Sequence, residues 1–267
     1  MKSLDAALGV LACFMGNEPT LGVGEIAERM AVPKSKVSKV LSTFRKRGIL
    51  EQDPRTRRYA VGARAFALGS RFINYNPLTR AALPVMRELT ERSGHSTRLS
   101  IRVGDDVLYL IGIEGPHFID TGWRAGQWMP LHATSAARVI LAFLDEQEVA
   151  RLFEAKGTPA ITPHTVTDGT ELMAMLRQVR AEGIARNRDE TASGLSTISV
   201  PVYGPHAAVI AALTLAFPSH TVLRDQEQPF VEMLHQSARV LSQKMGADAY
   251  PFGNLNIAPG GRRRRAG

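Results

Sequence analysis

The chain is poor in the residues that metal-dependent, disulfide-stapled and membrane proteins rely on. Its 267 residues include one cysteine, Cys13, so an internal disulfide and a cysteine-rich zinc site are both excluded. The seven histidines, at 95, 117, 132, 164, 206, 220 and 235, show no H-E-x-x-H or related metal spacing. No G-x-S-x-G nucleophile elbow occurs. No metal, cofactor or catalytic residue is therefore expected, and Cys13, on the apolar side of the first predicted helix, reads as a small hydrophobe. No apolar run approaches the ~18 residues that a membrane span needs. The N-terminal stretch MKSLDAALGVLACFMGNE carries Asp5 within a helical apolar period, unlike a signal peptide. A cytoplasmic protein with no membrane partner is expected. With 44% hydrophobic and 22% charged residues the chain is globular, and its length allows two domains.

Acidic residues are also short, but only locally. The formal charge is +8, and residues 1–75 hold 13 Lys/Arg against 6 Asp/Glu, a surplus of +7. Residues 76–250 sum to −3, and residues 251–267 hold four arginines and no acid. A basic N-terminal module thus precedes a mildly acidic body and a short basic tail. Neutralisation of phosphates is the common use of such a surplus, and a solvated basic surface is the alternative.

Apolar residues at helical spacing predict a helix over 3–15, with Ser3 as N-cap and the Gly16–Pro19 stretch as its stop. A second helix is expected from Val23 to Met30. A third runs from about Pro33 to Arg47, with proline in its first turn and Gly48 at its end. Its apolar side is Val37, Val40, Leu41 and Phe44. The runs 49–53 and 58–62 flank a polar turn and read as a hairpin. Helix, helix, tight turn, helix and hairpin form a winged helix-turn-helix, assigned to residues 1–62. Such a unit lays its third helix in the major groove of double-stranded DNA. Lys34, Ser35, Lys36, Ser38, Lys39 and Arg45 supply phosphate- and base-binding groups there. Arg55, Arg57 and Arg58 belong to the wing and face backbone or minor groove. A protein-interaction module would show the same order of elements. Gly22-Val23-Gly24-Glu25-Ile26-Ala27 matches a dinucleotide fingerprint, but the fingerprint requires a buried strand before it, and here a helix stands upstream.

Residues 63–76 read as a linker helix, and 77–93 as a further helix. Strands are expected at 96–103 and 107–113 around Gly104-Asp105-Asp106. Helices follow from Ser135 to Leu144, from the cap Asp145 to about Ala155, and from Asp168 to Glu182, closed by Gly183. Strands at 184–188, 197–202 and 209–217 and a helix over 221–245 complete an α+β body spanning residues 77–250. Arg262–Arg265 lie in a Pro/Gly-flanked segment assigned, with the rest of 251–267, as a basic disordered tail.

The basic winged module, GDDVLYL, PLHATSAARVILAFL and SGLSTISVPVYG…VIAALTLAF, in this order and spacing, resemble IclR-type transcriptional regulators over about residues 2–246. The resemblance implies a DNA-binding regulator with a winged helix-turn-helix, a linker helix and a C-terminal GAF-like α+β effector domain. It implies assembly as a homodimer or homotetramer and a small effector, commonly an organic or aromatic acid. By linkage, effector binding is then expected to favour one quaternary arrangement and so change the spacing of two recognition helices on an operator. Read from the residues alone, Thr134 and Ser135 stand where a loop becomes a helix, a place that suits a carboxylate or a simple N-cap. The resemblance places backbone contacts at Ser135 and Ala136 and polar contacts at Asn187, Thr197 and Thr214. Met129 and Leu131 are expected as apolar wall, with Trp123 or Trp128 as lid. Four positions depart from the family pattern. Ala137-Arg138 replaces Gly-Lys, Thr197 replaces a cysteine, and Ala216 replaces a serine. The runner-up reading is a small-molecule-sensing or enzymatic domain carrying a protein-interaction module.

Overall fold

A computed structural model of the chain describes residues 2–16, 18–117 and 124–253. Its described residues divide between two compact units, one within 1–83 and 123–128, the other within 84–122 and 129–267.

The first unit contains α1 (Lys2–Ala12), a 3-10 turn (Cys13–Met15), α2 (Val23–Arg29), α3 (Lys34–Lys46), β1 (Leu50–Gln52), β2 (Tyr59–Val61) and α4 (Ala63–Tyr75). α1 starts at Lys2, so Ser3 lies within the helix and is not its cap. Val10, Leu21, Ile26, Ala27, Val37, Leu41, Leu50 and Tyr59 form the core, contributed by α1, the Leu21 bridge, α2, α3, β1 and β2. Ala31, at φ 51°, turns the chain between α2 and α3, and Gly48, at φ 68°, ends α3 in the left-handed region that glycine tolerates. Leu50 pairs with Val61 and Gln52 with Tyr59, which makes the wing, and Leu21 adds a single bridge to Tyr59. Between Gly16 and Leu21 there is no strand among the described residues. The Gly22 N–H is already held by the Glu25 carboxylate at 2.8 Å. A pyrophosphate would meet that carboxylate, so this is no dinucleotide turn.

α5 (Pro77–Ser93) runs through the division at residue 84, where Pro84 sits inside the helix. The second unit then builds an antiparallel sheet from β3 (Ser96–Val103), β4 (Asp106–Ile113), β5 (Trp128–Met129), β6 (Ala185–Arg188), β7 (Leu195–Tyr203) and β8 (Val209–Pro218), in the order β5-β4-β3-β8-β7-β6, and takes in all of these strands except Trp128. Cross-strand partners share a face, so register decides what meets what. Asn187↔Thr197, Ser199↔Thr214 and Arg98↔Thr214 put these five side chains on one face. α6 (Ser135–Ala142) crosses that face, with α7 (Glu146–Lys156) and α8 (Gly169–Glu182) outside it. Val107, Leu131, Val139, Ile140, Leu152, Leu172 and Leu176 are buried among them. The expected caps hold. Asp145 and Asp168 accept backbone N–H bonds at the starts of α7 and α8, and Gly183, at φ 72°, closes α8.

The opposite face, with Ile198, Val200, Leu213, Leu215 and Phe217, is covered by α9 (Gln228–Lys244), which packs on β7 and β8. α9 starts seven residues later than the expected 221. Leu223 is extended (ψ 159°), a 3-10 turn occupies Arg224–Gln226, and Pro229 sits in the first turn of α9. Apolar spacing at Val222 and Leu223 mimicked a helix that the backbone does not make. Pro251–Gly253, expected to be disordered, fold back instead, because Arg239 donates to the carbonyls of Phe252 (2.9 Å) and Gly253 (2.6 Å). Arg262–Arg265 and Trp123 lie outside the described residues.

Candidate functional site

In the first unit the amphipathic split of α3 is complete. Val37 and Leu41 are buried, Val40 and Phe44 half-buried, and Lys34, Ser35, Lys36, Ser38, Lys39 and Arg45 exposed. Among the described residues none of the three lysines has a carboxylate partner. Two acids of this unit are committed to arginines elsewhere. Glu18 takes Arg29, and Glu25 takes Arg58. The Gly22 N–H, and then Arg58, hold the Glu25 carboxyl below the usual carboxylate range.

The wing is a rigid turn. Asp53 Oδ1 accepts the N–H groups of Arg55 (2.7 Å) and Thr56 (2.9 Å), an Asx turn that keeps its carboxyl ionised below the usual range. Arg57 takes φ 60° at the tip. Arg55 and Arg57 are exposed. Arg58 points inward. Its guanidinium spans both Glu25 oxygens (2.8 and 3.0 Å), the Thr20 carbonyl and the Thr20 hydroxyl, fastening β2 to the start of α2. Arg45 reaches Gln52 Oε1 at 2.8 Å, and Gln52 donates to the Arg57 carbonyl, so α3 and the wing are braced together.

In the second unit the N-terminus of α6 lies over the polar face of the sheet. Thr134 acts as N-cap, accepting from Ala137 N at 3.3 Å and donating to the Pro130 carbonyl at 2.9 Å. Ser135 bonds Thr197 (2.6 Å) and Ser199 (2.7 Å), and Ser199 bonds Thr214 (2.7 Å). Four buried hydroxyls thus form one chain from α6 across β7 to β8. Asn187 donates to the Ala133 carbonyl and accepts the Glu190 N–H, which fixes the loop entering α6. Sequence reasoning named Ser135, Thr197, Thr214 and Asn187, and the structure brings these together. It missed Ser199, although alternation along β7 puts Ser199 on the face of Thr197. Leu131 and Ala136 are buried in the adjoining apolar cluster and Met129 packs against it. Trp128 is half-buried on β5.

Beneath this lies an ion pair that spacing does not reveal. Arg138, 1% exposed, forks onto both oxygens of Glu190 and donates to the carbonyls of His132 (2.7 Å) and Arg186 (3.3 Å). It borders a cleft of about 590 Å³ beside α8 and β6, where Arg186 and Glu227 also pair at 2.9 Å. The charges of that cleft largely satisfy one another.

Comparison with known proteins agrees with this arrangement. Residues 3–54 match the family described as IclR helix-turn-helix domain, and residues 71–243 match Bacterial transcriptional regulator IclR C-terminal. The chain is 31% identical over 256 residues to the HTH-type transcriptional regulator KdgR of Escherichia coli strain K12, covering 94% of this chain and 97% of that protein. It superposes on the crystal structure of an IclR transcriptional regulator from Alicyclobacillus acidocaldarius with a TM-score of 0.80 at 28% identity, covering 92% and 99% of the two chains. An IclR homolog from Microbacterium hydrocarbonoxydans, crystallised with 4-hydroxybenzoate, shares the fold at a TM-score of 0.74 and 24% identity, covering 91% and 98%.

Proposed function

The chain belongs to the IclR family of DNA-binding transcriptional regulators, and from that premise we propose that a small organic acid held in its second unit controls operator binding by its first. The observation that carries the DNA reading is the unpaired row Lys34, Lys36 and Lys39 beside Ser35 and Ser38 on the exposed side of α3. Lysine and serine there meet phosphates and base edges of double-stranded DNA, while Arg55 and Arg57 meet the flanking backbone. Arg45 and Arg58 act through the wing they brace.

An effector carboxylate lies at the N-terminus of α6, against the backbone of Ser135 and Ala136, with Thr197, Thr214 and Asn187 as polar partners and Met129 and Leu131 as wall. A helix N-terminus presents free N–H groups and a positive dipole to such an anion. The ligand printed with the Microbacterium homolog is an acid of this class.

The active form is an oligomer of this chain. α4 buries none of its residues, and Phe66, Leu68, Phe72 and Tyr75 are 49–75% exposed along it, with Leu4 and Leu8 exposed on α1. An apolar face of this size is covered by a second copy. Effector binding favours one arrangement of the two copies, and only a difference in affinity between arrangements shifts DNA binding. The reading is tested by gel shift on the DNA upstream of the protein's own gene at low salt. A specific shift is expected. Stable protein that shifts no DNA would overturn the reading.

A further inference from the structure

The polar face of the sheet holds one cation without a counter-charge. Arg98, on β3, is 5% exposed, its Nε is buried with no hydrogen-bond partner, and no ion pair of its guanidinium is found among the described residues. The other buried arginine of this unit among the described residues, Arg138, is matched by Glu190. The surroundings of Arg98 are arranged around it. The bulge between Leu99 and Ser100 places Tyr109 opposite Ser100, on the face of Arg98, and the guanidinium lies 5.3 Å from the Tyr109 ring centre. Gly112 is the cross-strand partner of Arg98, and a Cβ there would fall 1.9 Å from the Tyr109 hydroxyl. Only glycine leaves room for the ring to lie there.

On its other side Arg98 is the register partner of Thr214, the end of the hydroxyl chain that begins at Ser135. α6 packs on β3 as well as on β7 and β8. The positive end of a helix, a row of hydroxyls and an uncompensated guanidinium therefore share one face. A buried charge is retained at a cost unless something supplies the opposite charge, and the Tyr109 ring offers no acceptor for the guanidinium N–H groups.

We propose that Arg98 is the counter-charge of the effector and selects for an anionic, carboxylate-bearing ligand. The carboxylate bridges from the α6 N-terminus to Arg98 across Thr214, and Tyr109 holds the guanidinium in place. The proposal rests on the reading of this unit as an organic-acid site and adds the residue that reads the charge.

The test compares full-length wild type with Arg98→Met and Ser135→Ala, using thermal shift followed by calorimetric titration. The probes are 4-hydroxybenzoate, benzoate, succinate and lactate, each beside its primary amide. In wild type at least one acid is expected to raise the Tm in a dose-dependent way while its amide does not. Arg98→Met is expected to keep the unliganded Tm, or exceed it, and to lose about tenfold or more in affinity for that acid, with acid and amide no longer distinguished. If Arg98→Met binds the acid as wild type does while Ser135→Ala does not, the Arg98 assignment falls and the site stands. If wild type answers no acid, or answers amides equally, the organic-acid reading falls with it.

Discussion

The two units use the same chemistry at opposite ends of the burial scale. Arg58 and Glu25 form a forked ion pair in the first unit with side chains 39% and 45% exposed, whereas Arg138 and Glu190 form one in the second at 1% and 9%. Ser35, Ser38 and the lysines of α3 stand in solvent, while Ser135, Thr197, Ser199 and Thr214 satisfy one another out of water. An exposed cation remains available to an external polyanion and contributes little to folding. A buried one is fixed by its partner and, where unpartnered, awaits one. The difference supports the proposed division, with DNA contact in the first unit and ligand discrimination in the second.

The largest expected effect comes from removing the buried partner. Arg138→Met should destabilise the second unit by about 3–5 kcal/mol, because Glu190 is left charged and unpaired. Arg138→Met with Glu190→Leu should recover most of that loss. Arg58→Ala, at the exposed pair, should cost no more than about 1 kcal/mol. Urea unfolding of the three variants measures the contrast, and equal costs at the two pairs would erase it.

Acid should separate the units next. Burial, and then the nearby Arg239 and Arg186 charges, push His235 down to about 4, and its Nδ1 lies 2.9 Å from the Tyr250 hydroxyl. Between its unfolded value near 6.5 and about 4, the unfolded chain binds a proton that the folded unit refuses. Stability is therefore complete above pH 6.5 and falls as pH drops toward 4, by up to about 1.4 kcal/mol per unit. His95 and His132, also lowered by burial, act in the same direction. In His235→Gln the slope of urea midpoint against pH should be shallower, and an unchanged slope would remove His235 from the account.

A smaller effect is expected at the hydroxyl chain. Ser199→Ala leaves Ser135 and Thr214 each short of one partner and should cost about 1–2 kcal/mol in the same assay. At the exposed end, Lys36→Ala with Lys39→Ala should change stability by less than about 0.5 kcal/mol.

These contrasts also explain what could be read from the residues. α3 was legible because the amphipathic spacing of Val37, Leu41 and Phe44 leaves the lysines on its outer side. Asp145, Asp168 and Gly183 were legible because caps are local chemistry. The buried charges were not. Arg138 and Glu190 lie 52 residues apart and meet only through the packing of α6 beside β6. Arg98 alternates like any strand residue, and its isolation depends on the register with β8 and on a bulge opposite Tyr109. The α9 boundary was missed because Pro229, not apolar count, decides it, whereas Ser199 stands two residues from Thr197 and alternation along the strand would have found it.

The most direct test of the division is the salt dependence of DNA binding. For the wild type, log affinity against log salt should be steep and linear, and Lys36→Ala with Lys39→Ala should weaken binding and flatten the slope by about two phosphate equivalents. Arg98→Met, assayed alongside without effector, should keep the wild-type slope. A double-lysine variant with unchanged affinity and slope would contradict the account at its centre.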